Sequence, residues 1–275
     1  MTSSFYAYST FIGKVNIVVN TKHHIVEVFF TKLRLNLKSE TKKTYLSYAW
    51  WLLEPALYVS VFYLVFSVIL NRGTDDFLLF LLCGKIPFLW FSKSISNASN
   101  SIVAGRGLIL QIAIPKQFFP LLVVAQDFIK QLFVFFFLFV FLAIYGDGSV
   151  AHWIYVLPVI LTQMLLITAC ALLVSAITPF IPDFKFLVGT GLMILMFGSG
   201  IFYSYKEFLS ERHQELFLMN PLANLFKNYR EVLIDNITPD WHALGVICLA
   251  SVLAIIAMNV WFKKTDTTYA RLVMQ

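Results

Sequence analysis

Residues 186–203, FLVGTGLMILMFGSGIFY, run for 18 positions without a charged side chain. Wound as an α-helix, such a run is about 27 Å long, close to the roughly 30 Å of bilayer hydrocarbon. Four glycines (Gly189, Gly191, Gly198 and Gly200) lie along it. The next stretch, 206–235, changes character. Lys206, Glu207, Glu211, Arg212 and Glu215 alternate with Phe208, Leu209, Leu216 and Phe217. Asn220-Pro221 then reads as an N-cap followed by proline at the first helical position. Leu222, Leu225, Phe226, Tyr229 and Leu233 recur after it at helical spacing. This pattern predicts a membrane-crossing helix and then two amphipathic helices that lie at the interface without crossing it.

The rest of the chain is of the same kind. It is 59% hydrophobic and 13% charged, with a mean hydropathy of +0.76, whereas soluble domains carry about 25% charged residues. The apolar runs are long and helical, and none shows the alternation of a barrel strand. Spans are expected near 51–70, 77–104, 118–145, 150–177, 186–203 and 241–262, with 206–235 as an extracytoplasmic lid. Before them, Val26, Phe29, Leu33 and Leu37 make one stripe of a helix over about 22–40, and Glu27, Thr31, Arg34 and Lys38 make the other. The expected fold is therefore an all-α integral membrane protein of one domain, 1–275. It has six transmembrane helices, an N-terminal amphipathic interface helix, and two extracytoplasmic interfacial or re-entrant helices between spans five and six.

Six spans place both termini on one side. Of 21 Lys and Arg, 14 fall on the side of the termini, five fall on the other, and Lys85 and Lys130 lie within spans. Cytoplasmic loops carry the positive excess, so both termini are expected in the cytoplasm. The same distribution explains the net charge of +6 without nucleic acid. No apolar stretch in the first 50 residues reads as a cleaved signal peptide. Cys83, Cys170 and Cys248 sit in apolar runs and read as small core residues rather than disulfide or metal partners.

Catalysis finds no support. The chain has no G-x-x-x-x-G-K-[ST] phosphate loop, and no His, Cys and carboxylate cluster has metal-ligand spacing. Glu207, Glu211 and Glu215 read as a solvated helix face. Asp127 and Lys130, three apart within the third span, are expected to pair on one face with Gln131, because an isolated charge in hydrocarbon is costly. One deep carboxylate and no internal repeat argue against an ion-coupled carrier. Aromatic side chains make up 17% of the chain. Tyr58, Phe62 and Phe66 form a continuous stripe on the first span, and Phe202 and Tyr203 crowd the outer end of the fifth. Such surfaces stack on sugar C–H faces without holding them tightly. The phenylalanine-rich run 133–141 is expected to face lipid for the most part.

Three stretches carry a resemblance: LEPALYVSVFYLVFSVI at 53–69, IPFLWFSKSISNASNSIV followed by IPKQFFP within 86–120, and FGSGIFYS with NPLANLFKNYREVL within 197–233. In order and spacing the chain resembles the permease subunits of bacterial polysaccharide-export ABC transporters, which export O-antigen, capsule and teichoic acid chains. Gln111 stands where that family usually carries a basic residue. The resemblance implies a homodimer in the bacterial inner membrane and two copies of a separate cytoplasmic ATPase subunit that binds ATP and Mg. It implies no cofactor in this chain and an undecaprenyl-linked polysaccharide as the cargo. Tyr58, Phe62, Phe66, Phe202 and Tyr203 would line a channel at the dimer interface, and Arg34, Lys38, Arg106 and Lys116 would meet the ATPase. The runner-up expectations are an ABC exporter of a drug or lipid, or a membrane-embedded polysaccharide-processing enzyme.

Overall fold

The computed structural model describes residues 21–43, 49–65, 77–112, 114–146, 149–208 and 210–274. Every regular element among them is helical. In chain order these are α1 (Thr21–Lys43), α2 (Ala49–Tyr63), α3 (Phe77–Ser99), α4 (Ser101–Ala104), α5 (Arg106–Ile109) and α6 (Phe118–Tyr145). A 3-10 turn (Val150–Tyr155) leads into α7 (Val156–Ile177), followed by α8 (Phe184–Gly198), α9 (Tyr205–Phe208), α10 (Glu211–Leu218), α11 (Pro221–Leu233) and α12 (Trp241–Met274).

Among the described residues, four stretches are long and apolar enough to cross a membrane: Phe77–Ser99, Phe118–Tyr145, Val150–Ile177 and Trp241–Tyr269. The expected first span is described as the 15-residue α2 and the two residues after it, and 66–70 lie outside the described residues. The expected fifth span is shorter than its uncharged run. It stops at Gly198 after 15 residues, about 22 Å of helix. Gly200, at φ +66°, turns the chain into a left-handed conformation that costs other residues energy, and Ile201 and Phe202 fold inward to burial.

The centre of the molecule is α3. Leu81 and Cys83 on it are fully buried, and Phe88, Trp90, Phe91 and Ile95 nearly so. The helix runs unbroken through Pro87. Gln163 of α7, itself fully buried, donates its amide to the Pro87 carbonyl at 2.8 Å and ties the two helices together. On α6 the aromatic run divides between two surroundings. Phe133, Phe136 and Phe137 point outward, whereas Phe135 is 1% exposed and stacks on Tyr229 with centroids 6.1 Å apart. The helical period explains the split, since residues 131, 134, 135, 138 and 142 share the inward face.

A second, smaller core joins α1 to α6 and α12. Leu33 is buried in it beside Phe118, Phe119 and Leu122, and Phe29 meets Phe118 edge-on at 5.5 Å. The inward seam of α1 is Ile25, Phe29, Leu33 and Leu37, while Val26 lies on the exposed side. The final helix also differs from its expected extent. Lys263-Lys264 does not end it, and α12 continues to Met274. That extension is held by the Tyr269 hydroxyl, which donates to the Ala176 carbonyl at 2.8 Å.

The segment expected as a lid contains three helices among the described residues, and α11 belongs to the core rather than to a surface. Leu225, Phe226, Tyr229 and Val232 have no exposure. Its polar residues Asn224, Asn228 and Arg230 are buried as well. Asn220 caps it as the sequence predicts, its side chain accepting from Leu222 N–H at 3.0 Å.

Candidate functional site

The charges that the sequence scatters through spans and loops gather into a few ion pairs. Lys130 on α6 lies 3.2 Å from Asp127 Oδ1 and 2.8 Å from Glu40 Oε2. Asp127 Oδ2 accepts from the Asn97 amide of α3 at 3.0 Å. The pair on α6 is thus part of a four-residue set that reaches α1 on one side and α3 on the other. Asp127 is its buried member and Glu40 its exposed one, with side-chain exposures of 8% and 42%. Gln131 is buried near the pair without joining it, and its Nε2 has no partner among the described residues. Close by, Lys93 of α3 binds Glu54 of α2. These pairs link α1 to α6 and α2 to α3.

Of the four cations expected to meet an ATPase, Arg34, Lys38 and Arg106 are exposed. Lys116 is not. It is 5% exposed, and its ammonium donates to the Ile114 carbonyl at 3.1 Å and to Asp266 Oδ2 at 3.3 Å. Lys116 N–H also points to Asp266 Oδ1 at 3.3 Å. The structure therefore joins the segment between α5 and α6 to the helical tail of α12. Neither residue signals the other in the sequence, because 150 positions separate them.

The aromatic residues expected to line a channel are only partly described. Phe66 lies outside the described residues, and so do the side chains of Tyr58 and Phe62, whose backbone belongs to α2. Phe202 is buried, 5.5 Å from the Phe197 ring and 5.7 Å from the Lys85 ammonium. Tyr203 is half-buried, and its hydroxyl donates to the Phe197 carbonyl at 3.1 Å. In this conformation both serve as packing that closes the end of α8. The opposite face of α8 is bare. Phe186, Leu187, Met193 and Ile194 are each more than 60% exposed, and Gly189, Gly191 and Gly198 have open space where a β-carbon would stand.

One buried cation, Arg230, has no counterpart among the expected site residues. Its Nη2 donates to the Ile201 carbonyl at 3.1 Å and its Nε to the Phe80 carbonyl at 3.3 Å. The guanidinium carbon stands 3.4 Å from the Phe80 ring centroid. Burial pulls the guanidinium down to about 10, with Cys83, Tyr205 and Asp235 acting in the other direction, so it stays charged at neutral pH. Arg230 fastens α11 to α3 and to the turn after α8. A warning was present in the sequence: Asn224, Asn228 and Arg230 fall on a helix whose other positions already demand burial. Among the described residues no group of His, Cys, Asp and Glu could hold a metal ion.

Comparison with known proteins finds relatives along most of the chain. No protein-family model matches the chain. An O-antigen export system permease protein RfbA from Klebsiella pneumoniae is 22% identical over 86% of this chain and 92% of its own length. Its namesake from Myxococcus xanthus is 24% identical over 85% and 90%. A polysialic acid transport protein KpsM from Escherichia coli is 25% identical over 84% and 89%. Identity is low and coverage is high, so the similarity extends over most of the chain rather than one motif. By that similarity the relatives of this chain are the permease proteins of bacterial polysaccharide export, as the three matching stretches of its sequence imply.

Proposed function

We propose that this chain is the membrane-spanning subunit of an ATP-driven exporter that moves a lipid-linked polysaccharide of the O-antigen kind out of the cytoplasm. The observation that carries the reading is coverage: the similarity to polysaccharide-export permeases extends over about 85% of the chain. In this reading the chain crosses the inner membrane six times with both termini in the cytoplasm. Two copies enclose the passage, because the described residues of one bundle pack around their own aromatic core. The bare, glycine-bearing face of α8 supports that arrangement, since small residues allow helices to approach closely. Tyr58, Phe62 and Phe66 of the first span would face the polymer, and Phe202 and Tyr203 would move aside when the passage opens. A separate ATPase subunit, in two copies, binds ATP and Mg. It docks on Arg34, Lys38 and Arg106, while Lys116 positions the docking segment through Asp266. The polymer arrives on an undecaprenyl carrier.

A deletion strain tests the reading. Loss of surface polysaccharide with carrier-linked polymer retained inside the cell is expected. Loss of the polymer altogether would identify an enzyme of its synthesis, and an unchanged surface would turn the reading toward a different cargo. Reversal of charge at Arg106 and Arg34 together should leave ATP hydrolysis running without export.

A further inference from the structure

A cavity of about 760 Å³ opens between α1, the Ser- and Asn-rich end of α3, the segment around α5 and the start of α6. Clefts for small ligands typically span about 300–1,000 Å³. Its wall is unlike the rest of this apolar molecule. Asn36, Asn100, Gln111 and Gln126 line it. None of these four amides has a side-chain hydrogen bond to another described residue. Gln126, only 7% exposed as a residue, lines the cavity. An amide on a cavity wall without a protein partner is free to meet a ligand or water.

The lining also selects among ligands. Lys32 is the one charged side chain on it, and no carboxylate lines it. A pyrophosphate would leave charge uncompensated there. Amides donate and accept at once, which matches hydroxyl groups that do the same. The wall includes the Phe119 ring, and Gly105 makes room for it, since a β-carbon at 105 would come within 2.3 Å of that ring.

We propose that this cavity is a saccharide-binding site that holds an uncharged sugar unit of the polymer beside the amphipathic helix, outside the shared passage. The proposal rests on the polysaccharide-export reading for the identity of the cargo. Binding itself is read from the isolated chain and does not depend on export.

The full chain in lipid nanodiscs, probed by saturation-transfer NMR with N-acetylglucosamine and separately with inorganic pyrophosphate, tests the site. The sugar is expected to receive saturation and pyrophosphate is not. Gln126→Leu should weaken sugar binding about tenfold, the loss of hydrogen bonds to its amide, and Gln126→Asn should restore part of it. Gly107→Trp, at a cavity-lining position with open space for a side chain, should abolish binding even where Gln126→Leu fails to fold. Sugar binding unchanged in Gln126→Leu and Gly107→Trp would overturn the site. Binding of pyrophosphate in place of sugar would overturn it in favour of an anion site, and binding of neither would leave a water-filled cleft and overturn it also. The deletion strain separately decides the export reading.

Discussion

The guanidinium of Arg230 occupies the space that a side chain at Gly84 would need: a β-carbon there would come within 2.6 Å of Nη2. The glycine on α3 and the arginine on α11 are thus one fitting, 146 positions apart in the chain. Gly84→Ala must push a guanidinium that is already bound to the Phe80 and Ile201 carbonyls. We expect a loss of about 1–3 kcal/mol, as for overpacked cores. The double variant Gly84→Ala/Arg230→Ala should be hardly less stable than Arg230→Ala alone, because the clash has gone. Thermal unfolding of the detergent-solubilised chain measures both. Strict additivity would show that the two sites are independent.

Lys130 should matter far more than its exposed partner. Lys130→Met leaves Asp127 buried with only the Asn97 amide, and stranding a buried charge costs about 3–5 kcal/mol. Glu40→Gln removes a half-exposed carboxylate, and such a pair is worth about 1 kcal/mol or less. Both variants should make α1 easier to release, seen as faster proteolytic cleavage after Lys38. Equal effects would mean that Asp127 is better solvated than its burial implies.

Glu231 confers a pH dependence. Burial raises its carboxyl above the usual range, with Lys227 opposing the shift. The folded chain then holds this proton to higher pH than the unfolded chain does. Stability at this site is full in acid and falls as pH rises from the ordinary glutamate range, about 4.3, through the raised value. Glu231→Gln removes that loss. Its Tm should exceed that of the parent at about pH 8, and the gap should close toward pH of about 4. Lys227 keeps Asp240 at 3.7 Å, so the substitution does not strand a cation. A gap that widens in acid would reverse the sign of the effect.

Gly200 should tolerate no side chain. At φ +66° an L-residue pays about 1–2 kcal/mol, and a β-carbon would also stand 3.0 Å from the Phe217 ring. Gly200→Ala should lower Tm and loosen the packing of Phe217 on Tyr205, whose rings stack at 5.6 Å. Gly191→Ala, where the space is open, is the control and should unfold like the parent chain. If Gly200→Ala were equally silent, the helix would be free to run past Gly198.

The sequence by itself determined the helical class, the extents of α6 and of the 150–177 stretch, and the Asn220 cap of α11. Each depends on contacts within a few positions along the chain, between a side chain and its own helix or between a helix and an apolar surrounding. The tertiary structure alone decided that Lys116 is spent on Asp266, that Lys130 binds Glu40 across 90 positions, and that α11 is core. An amphipathic helix with buried asparagines and an arginine reads as surface until the carbonyls that satisfy it are in place. Those carbonyls come from α3 and the turn after α8, and local periodicity carries no information about partners so far away in the chain.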